Sequence, residues 1–114
     1  MQNYDFDQMQ EDNLCESVEF ILPTDPVYSL TGAKIYMDWK KKPGQLAVAS
    51  FSIGKGISVL GEYNFRFDEQ VISVPADTYQ YDILIVFKRN GIEQPERLIG
   101  GLVPIVSVIT KIKK

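Results

Sequence analysis

The side chains that most often carry catalysis are scarce in this sequence. Histidine is absent, which removes the commonest general base, the commonest metal ligand and any serine–histidine–aspartate arrangement. The single cysteine, Cys15, has no partner for an intrachain disulfide and no neighbouring motif, so we interpret it as a small buried hydrophobe. The sequence therefore predicts a protein that is not an enzyme and has no catalytic residue.

Two short stretches resemble ligand sites only superficially. The acids of residues 5–12 have the wrong spacing for a calcium loop and lack its sharp-turn glycine. Gly54 and Gly56 are not followed by the lysine–serine half of a phosphate loop, and turn chemistry explains them better. We therefore predict no metal site and no cofactor.

Charge is distributed unevenly along the chain. Residues 1–33 contain seven acids and no base, whereas residues 34–114 carry a net charge of +4 and finish in a cluster of lysines. Solubility is the preferred explanation of this asymmetry, and a binding role is the alternative. No basic stripe with interleaved aromatics stands out, so we expect no nucleic-acid partner. The longest apolar-rich stretch is too short and too broken to span a bilayer, so we expect no membrane partner.

Residues 1–12, which we call the arm, are polar, acidic and without a clear period. We expect the arm to be flexible and to precede a single β-sandwich domain over residues 13–114. Because apolar side chains are interleaved with its acids, we predict that the arm contacts a neighbouring subunit or another protein of the same assembly, guided by opposite charges. The residues predicted to contact a partner are Tyr4, Asp5, Phe6, Asp7, Met9, Lys111, Lys113 and Lys114.

The rest of the chain contains about seven short strands separated by turn signals, as expected of a sandwich. Apolar and polar residues alternate most clearly over residues 33–40, 63–67 and 78–88. Asn90-Gly91 predicts a tight hairpin turn, because both residues accept positive φ. These patterns predict an all-β fold, an immunoglobulin-like antiparallel β-sandwich. Its predicted core residues are Ile35, Trp39, Phe65, Tyr79, Ile83 and Ile85.

Two further features concern the last strands. Tyr79 or Tyr81 is placed to form a tyrosine corner, in which the hydroxyl bonds back to the preceding chain. Residues 104–110 are β-prone and uncharged. They fit either a buried last strand or an exposed edge that another subunit pairs with, and both interpretations stay open.

A series of weak motifs runs through residues 14–110 in a recognisable order. The motifs are Leu30-Thr31-Gly32-Ala33, Phe51-Ser52 with Gly56-Ile57, Tyr63-Asn64-Phe65, Thr78-Tyr79-Gln80-Tyr81-Asp82-Ile83, Arg97-Leu98-Ile99-Gly100-Gly101 and Val108-Ile109-Thr110. Their order and spacing resemble a family of small immunoglobulin-like β-proteins associated with phage and prophage tails. Asp77 departs from the glycine usual before the tyrosine strand, so that turn is expected to differ.

The resemblance implies a non-catalytic structural component of a phage tail or baseplate, similar to the amino-terminal domains of upper baseplate proteins. It implies other tail or baseplate proteins and further copies of the chain as partners. It also implies synthesis in the host cytoplasm and a final place in the virion. The alternative is a carbohydrate- or cell-surface-binding module, with Tyr28, Tyr36 and Tyr63 as its stacking surface.

Overall fold

The structure is a computed structural model and describes residues 2–107. Those residues contain strands and a single turn of 3-10 helix at Pro26–Tyr28, so the predicted all-β class is confirmed. The strands are β1 (Gln2–Asn3), β2 (Met9–Gln10), β3 (Leu14–Cys15), β4 (Val18–Ile21), β5 (Lys34–Lys40), β6 (Ala49–Ile53), β7 (Gly56–Val59), β8 (Asn64–Phe67), β9 (Gln70–Val71), β10 (Asp77–Arg89) and β11 (Ile92–Val106).

One curled sheet contains most of these strands, in the order β1-β11-β10-β5-β6-β7-β8-β4. Strand β2 also pairs with β11, and β3 and β9 form a separate two-stranded sheet. Most neighbours are antiparallel, but β1 and β2 run parallel to β11 and β6 runs parallel to β7. The sheet is therefore mixed, and the prediction of a purely antiparallel arrangement is wrong at these pairings.

Period-2 alternation places the core on one face of the curled sheet. Along β5, Ile35, Met37 and Trp39 are buried, and β10 alternates in the same way over most of its length. The sheet turns back on itself, so that the ring of Phe67 on β8 lies 6.0 Å from Trp39 and 4.9 Å from Phe51. The predicted core is confirmed, since Ile35, Trp39, Phe65, Tyr79, Ile83 and Ile85 are each at most 1% exposed.

Local turn chemistry fixes how β10 and β11 meet. Asn90 and Gly91 have φ of 52° and 76°, the pair of positive angles that a tight hairpin turn requires. The register of β10 and β11 shifts once, where Leu98 is the extra residue of a bulge. At the other end of β10 the Tyr79 hydroxyl donates to the Pro75 carbonyl oxygen, which confirms the tyrosine corner.

The arm is not a free flexible segment, so that prediction and the domain boundary at residue 13 are wrong for residues 2–12. Strand β1 pairs with Ile99 and Gly100, and β2 pairs with Ile105 and Val106, which covers the edge of β11 at both places. Between them, Phe6 is only 4% exposed and belongs to the core. The physical reason is that two aromatic side chains alternate with acids in the arm, and packing on the sheet buries Phe6 and covers part of Tyr4.

Candidate functional site

The arm fills the space between the two ends of the curled sheet, β11 on one side and β4 on the other. Its backbone extends the ladder beyond β1, because the Tyr4 and Phe6 N–H groups donate to the carbonyl oxygens of Gly100 and Leu102, each at 2.9 Å. Across the gap, the Tyr4 ring lies 5.7 Å from the ring of Phe20 on β4. We call the recess that holds residues 2–6 the cradle; its walls are Phe20, Trp39, Phe67, Tyr81 and Gly100–Leu102.

Phe6 is the apolar anchor of the arm in the cradle. Its ring packs edge-to-face against three aromatic rings outside the arm, those of Tyr81 at 5.1 Å, Phe67 at 5.5 Å and Trp39 at 6.2 Å. Those three residues come from β10, β8 and β5, so one arm side chain connects both halves of the curled sheet. Edge-to-face pairs add to the stabilisation from area burial alone. The arm is therefore a packing element of the curled sheet.

Polar groups of the cradle fix the register of the arm. The Tyr81 hydroxyl donates to the Tyr4 carbonyl oxygen at 2.5 Å, and the Leu102 N–H donates to the Asp5 carboxylate at 2.9 Å. Burial raises the pKa of Tyr81, and the nearby Tyr4 and Asp5 raise it further. The phenol therefore stays protonated at neutral pH and keeps its role as donor.

Gly101 makes room for the arm. A Cβ atom at this position would lie 2.1 Å from the Tyr4 backbone oxygen and 2.7 Å from the Asp5 carboxylate. Nonbonded heavy atoms do not approach this closely, so only glycine lets the arm backbone lie against β11 here. The cradle is thus adapted in backbone and side chain to this one segment.

An open cavity of about 390 Å³ adjoins the cradle, and Tyr4, Phe6, Asp7, Cys15 and Glu16 contribute to its lining. The Cys15 thiol donates to the carbonyl oxygen of Glu16 at 3.4 Å. Burial, with a smaller contribution from the Glu16 carboxylate, raises the pKa of Cys15 to about 11. The thiol is therefore protonated at neutral pH and is a poor nucleophile, as expected of a packing cysteine.

This pKa predicts slow alkylation of Cys15. At pH 8 we expect iodoacetamide to modify the folded chain on the order of 100-fold more slowly than the urea-unfolded chain, because far less thiolate is present. The rates are measured by mass spectrometry after timed quenching. A variant with Cys15→Ala and Ser17→Cys, which moves the thiol to an exposed neighbouring position, should react quickly in both states. Equal rates for Cys15 in the folded and unfolded chains would contradict its burial.

An exposed apolar pair lies where the arm joins the rest of the chain. Leu14 on β3 and Val71 on β9 are cross-strand partners and are 57% and 60% exposed. Cross-strand partners project from the same face of a sheet, so their side chains form one apolar surface. Glu16 and Glu69 flank the adjoining ends of the two strands, which gives this surface an acidic border. We call Leu14 and Val71 the apolar pair.

The residues predicted to contact a partner divide into three groups. Tyr4, Asp5 and Phe6 contact the chain's own cradle, so the buried Phe6 is not available to a partner in this conformation. Asp7 is exposed, and Met9 is half-buried against the core. The predicted Lys111, Lys113 and Lys114 lie outside the described residues.

Sequence reasoning missed the other half of the site. In the sequence, the wall residue Gly101 indicates only a bend in the last strand, and Tyr81 is only a second candidate for the tyrosine corner. The alternation of Tyr4 and Phe6 with acids indicates an apolar contact. Nothing in the neighbouring sequence predicts that the arm pairs with β11. Leu14 and Val71 belong to two-residue strands, which are too short to show a period.

The tyrosines suggested for glycan stacking do not form one surface. Tyr36 alternates with the buried side chains of β5 and projects from the face of the sheet opposite the core. Tyr28 packs on the core side, with its ring 6.1 Å from that of Phe87, and Tyr63 also packs against the core cluster. A flat aromatic platform of these residues is therefore not present.

Within residues 2–107, no three or more cysteine or acidic side chains are grouped closely enough to hold a metal ion. The same residues contain no helix with the length and apolar character needed to cross a membrane. Comparisons of the chain with models of known protein families, with curated proteins and with solved structures gave no match.

Proposed function

We propose that this protein is a non-catalytic structural component that assembles through protein–protein contacts, in the tail or baseplate of a phage or prophage particle. The observation that carries the proposal is the apolar pair. Single exposed aliphatic side chains are ordinary, but Leu14 and Val71 are adjacent partners on one face, both more than half exposed. Contiguous exposed apolar surface with a polar border is typical of a contact site.

The charges around the pair favour a basic partner. Glu16 and Glu69 border the apolar pair, and the first 33 residues of the chain contain no base. The same sequence ends in residues of the opposite charge, Lys111, Lys113 and Lys114. A contact between two different surfaces of one chain is head-to-tail, and it closes into a ring when the rotation permits.

The finer fold assignment, an immunoglobulin-like sandwich, is part of the same proposal. It is supported by the bond from the Tyr79 hydroxyl to the Pro75 carbonyl and by the fully buried Trp39 between facing strands. The parallel arm pairings distinguish this chain from a simple antiparallel sandwich. In this proposal the arm is an addition to the fold that closes its open side.

The particle assignment is tested by purification of phage or induced prophage particles from the source cells. We expect the chain among the particle proteins by mass spectrometry, and in the tail fraction after heads and tails are separated. Its presence in the cell lysate together with its absence from purified particles would contradict the assignment.

The contact surface is tested by substitution of the apolar pair. Leu14→Asp should weaken self-association, or binding to tail proteins, by at least about tenfold, because it places a charge in an apolar contact. Light scattering over a concentration series measures this. Leu46→Asp is the matched control, since Leu46 is 92% exposed and lies in the loop between β5 and β6. Equal loss of self-association in the two variants would show that the apolar pair is not part of the proposed contact.

A further inference from the structure

We propose that the arm is an exchangeable strand: the cradle of one chain accepts residues 2–6 of a second copy in place of its own. The interaction surface is the cradle, and its partner is the arm of an identical chain. The proposal deepens the assembly role proposed above and rests on it, because exchanged arms would connect copies of the protein to each other.

Exchange would preserve every contact that recognises the arm. The Tyr81 hydroxyl, the Leu102 N–H and the space over Gly101 act on arm atoms only, whichever chain the arm belongs to. The ring of Phe6 would enter the same three-ring pocket in either case. Closed and exchanged forms would therefore differ in structure only at the connecting segment. The fraction of exchanged chains would rise with protein concentration, as is general for strand exchange.

The connecting segment contains a residue in a left-handed conformation. Asp12 has φ of 60° and lies in the tight turn that joins β2 to β3. The Asp12 N–H donates to the Ile72 carbonyl oxygen at 3.1 Å, and the Asn13 N–H donates to the Gln10 carbonyl oxygen at 3.4 Å. Residues other than glycine reach this conformation at a cost, which an extended connection would relieve. The turn at Asp12 is thus the hinge about which the arm would open.

Cysteine pairs detect exchange directly. Gln10 on β2 and Val106 on β11 are register partners, and neighbouring strands hold Cα atoms within disulfide range. Two full-length chains are prepared in a Cys15→Ala background, one with Gln10→Cys and the other with Val106→Cys. After mixing, incubation and mild oxidation, a disulfide-linked heterodimer forms efficiently only if β2 of one chain pairs with β11 of the other. That pairing is expected when the whole arm, which contains β2, has moved to the other chain.

The control mixture replaces the Val106→Cys chain with a Leu46→Cys chain, whose thiol is more exposed and lies in the loop between β5 and β6, outside the strand that pairs with β2. We expect at least about tenfold more heterodimer from the matched pair than from this control, rising with protein concentration. Heterodimer yields equal to the control at every concentration would overturn the proposal. Circular dichroism and the fluorescence of Trp39 verify that each chain is folded.

Two substitutions at the hinge should move exchange in opposite directions. Asp12→Gly accepts positive φ without cost, so it should favour the closed form and lower the heterodimer yield. Asp12→Pro fixes φ near −65° and removes the N–H that bonds Ile72, so it should raise the yield by roughly tenfold. If Asp12→Pro does not fold, the heterodimer yield of the parent mixture still tests arm exchange, and the yield with Asp12→Gly still tests the hinge. No decrease with Asp12→Gly would refute the turn as the hinge.

The outcomes separate this inference from the proposed function. A particle protein that self-associates but gives no matched heterodimer would retain the structural role and lose strand exchange. A chain that exchanges arms but is absent from purified particles would keep the exchange and lose the tail assignment. Loss of self-association by Leu14→Asp with unchanged heterodimer yield would show that the apolar pair and the cradle act independently.

Discussion

Replacement of Phe6 by alanine is expected to lower the free energy of unfolding by about 3–5 kcal/mol, the range found when a large buried aromatic side chain is truncated. The ring is 4% exposed and packs against Trp39, Phe67 and Tyr81. Its removal leaves a cavity between the two halves of the curled sheet, and the arm loses its anchor. Urea unfolding followed by Trp39 fluorescence measures the change.

Two other substitutions calibrate this result. Phe6→Leu keeps most of the apolar volume and should cost less than about 1.5 kcal/mol. Tyr4→Ala should cost less than Phe6→Ala, because the Tyr4 side chain is already 37% exposed. A change in the free energy of unfolding of less than about 1 kcal/mol would be too small for a buried aromatic side chain. Phe6→Ala with such a small effect would mean that the arm is a flexible segment in solution.

The longest strands were predictable because their pattern is local. Apolar and polar side chains alternate along residues 78–88, which predicts β10. Asn90-Gly91 is typical of a tight hairpin turn, which predicts the connection to β11. Burial of Trp39 follows from the same alternation on β5. In these cases each residue's environment is set by its immediate neighbours in the chain.

The cradle was not predictable because it joins distant parts of the chain. The pairing of Asn3 with Gly100 connects segments at opposite ends of the sequence, and a parallel pairing leaves no turn signal between them. From the alternation of Tyr4 and Phe6 with acids we expect a contact with a partner, whereas in the structure Phe6 packs in the cradle of its own chain. Local pattern tells that a side chain will be buried, but it does not tell which surface buries it.

The role of Gly101, in the wall of the cradle, was also not predictable from its neighbours in the sequence. In the sequence it follows Gly100 within a β-prone stretch, so a bend or bulge is the natural interpretation. Its role, to let the Tyr4 carbonyl approach β11, depends on a residue far away in the chain. Such a role becomes visible only when the two segments are placed together.

Replacement of Gly101 by alanine is expected to displace the arm. The new Cβ would meet the Tyr4 backbone oxygen at 2.1 Å, and a backbone atom in a paired strand has little room to move away. Displacement would break the backbone bonds of Tyr4 and Phe6 to β11 and withdraw the Phe6 ring from its pocket. The free energy of unfolding should therefore fall by up to the cost of Phe6→Ala, about 3–5 kcal/mol.

The decisive measurement is the same substitution in the Phe6→Ala chain, whose arm is no longer anchored. There Gly101→Ala should cost almost nothing, or stabilise by about 0.5–1 kcal/mol, because alanine loses less conformational freedom than glycine in a strand. The two changes would thus be strongly non-additive, as expected when both act on one interaction, the seating of the arm in the cradle. Additive costs would mean that Gly101→Ala disturbs β11 itself, and that the arm tolerates a side chain beneath it.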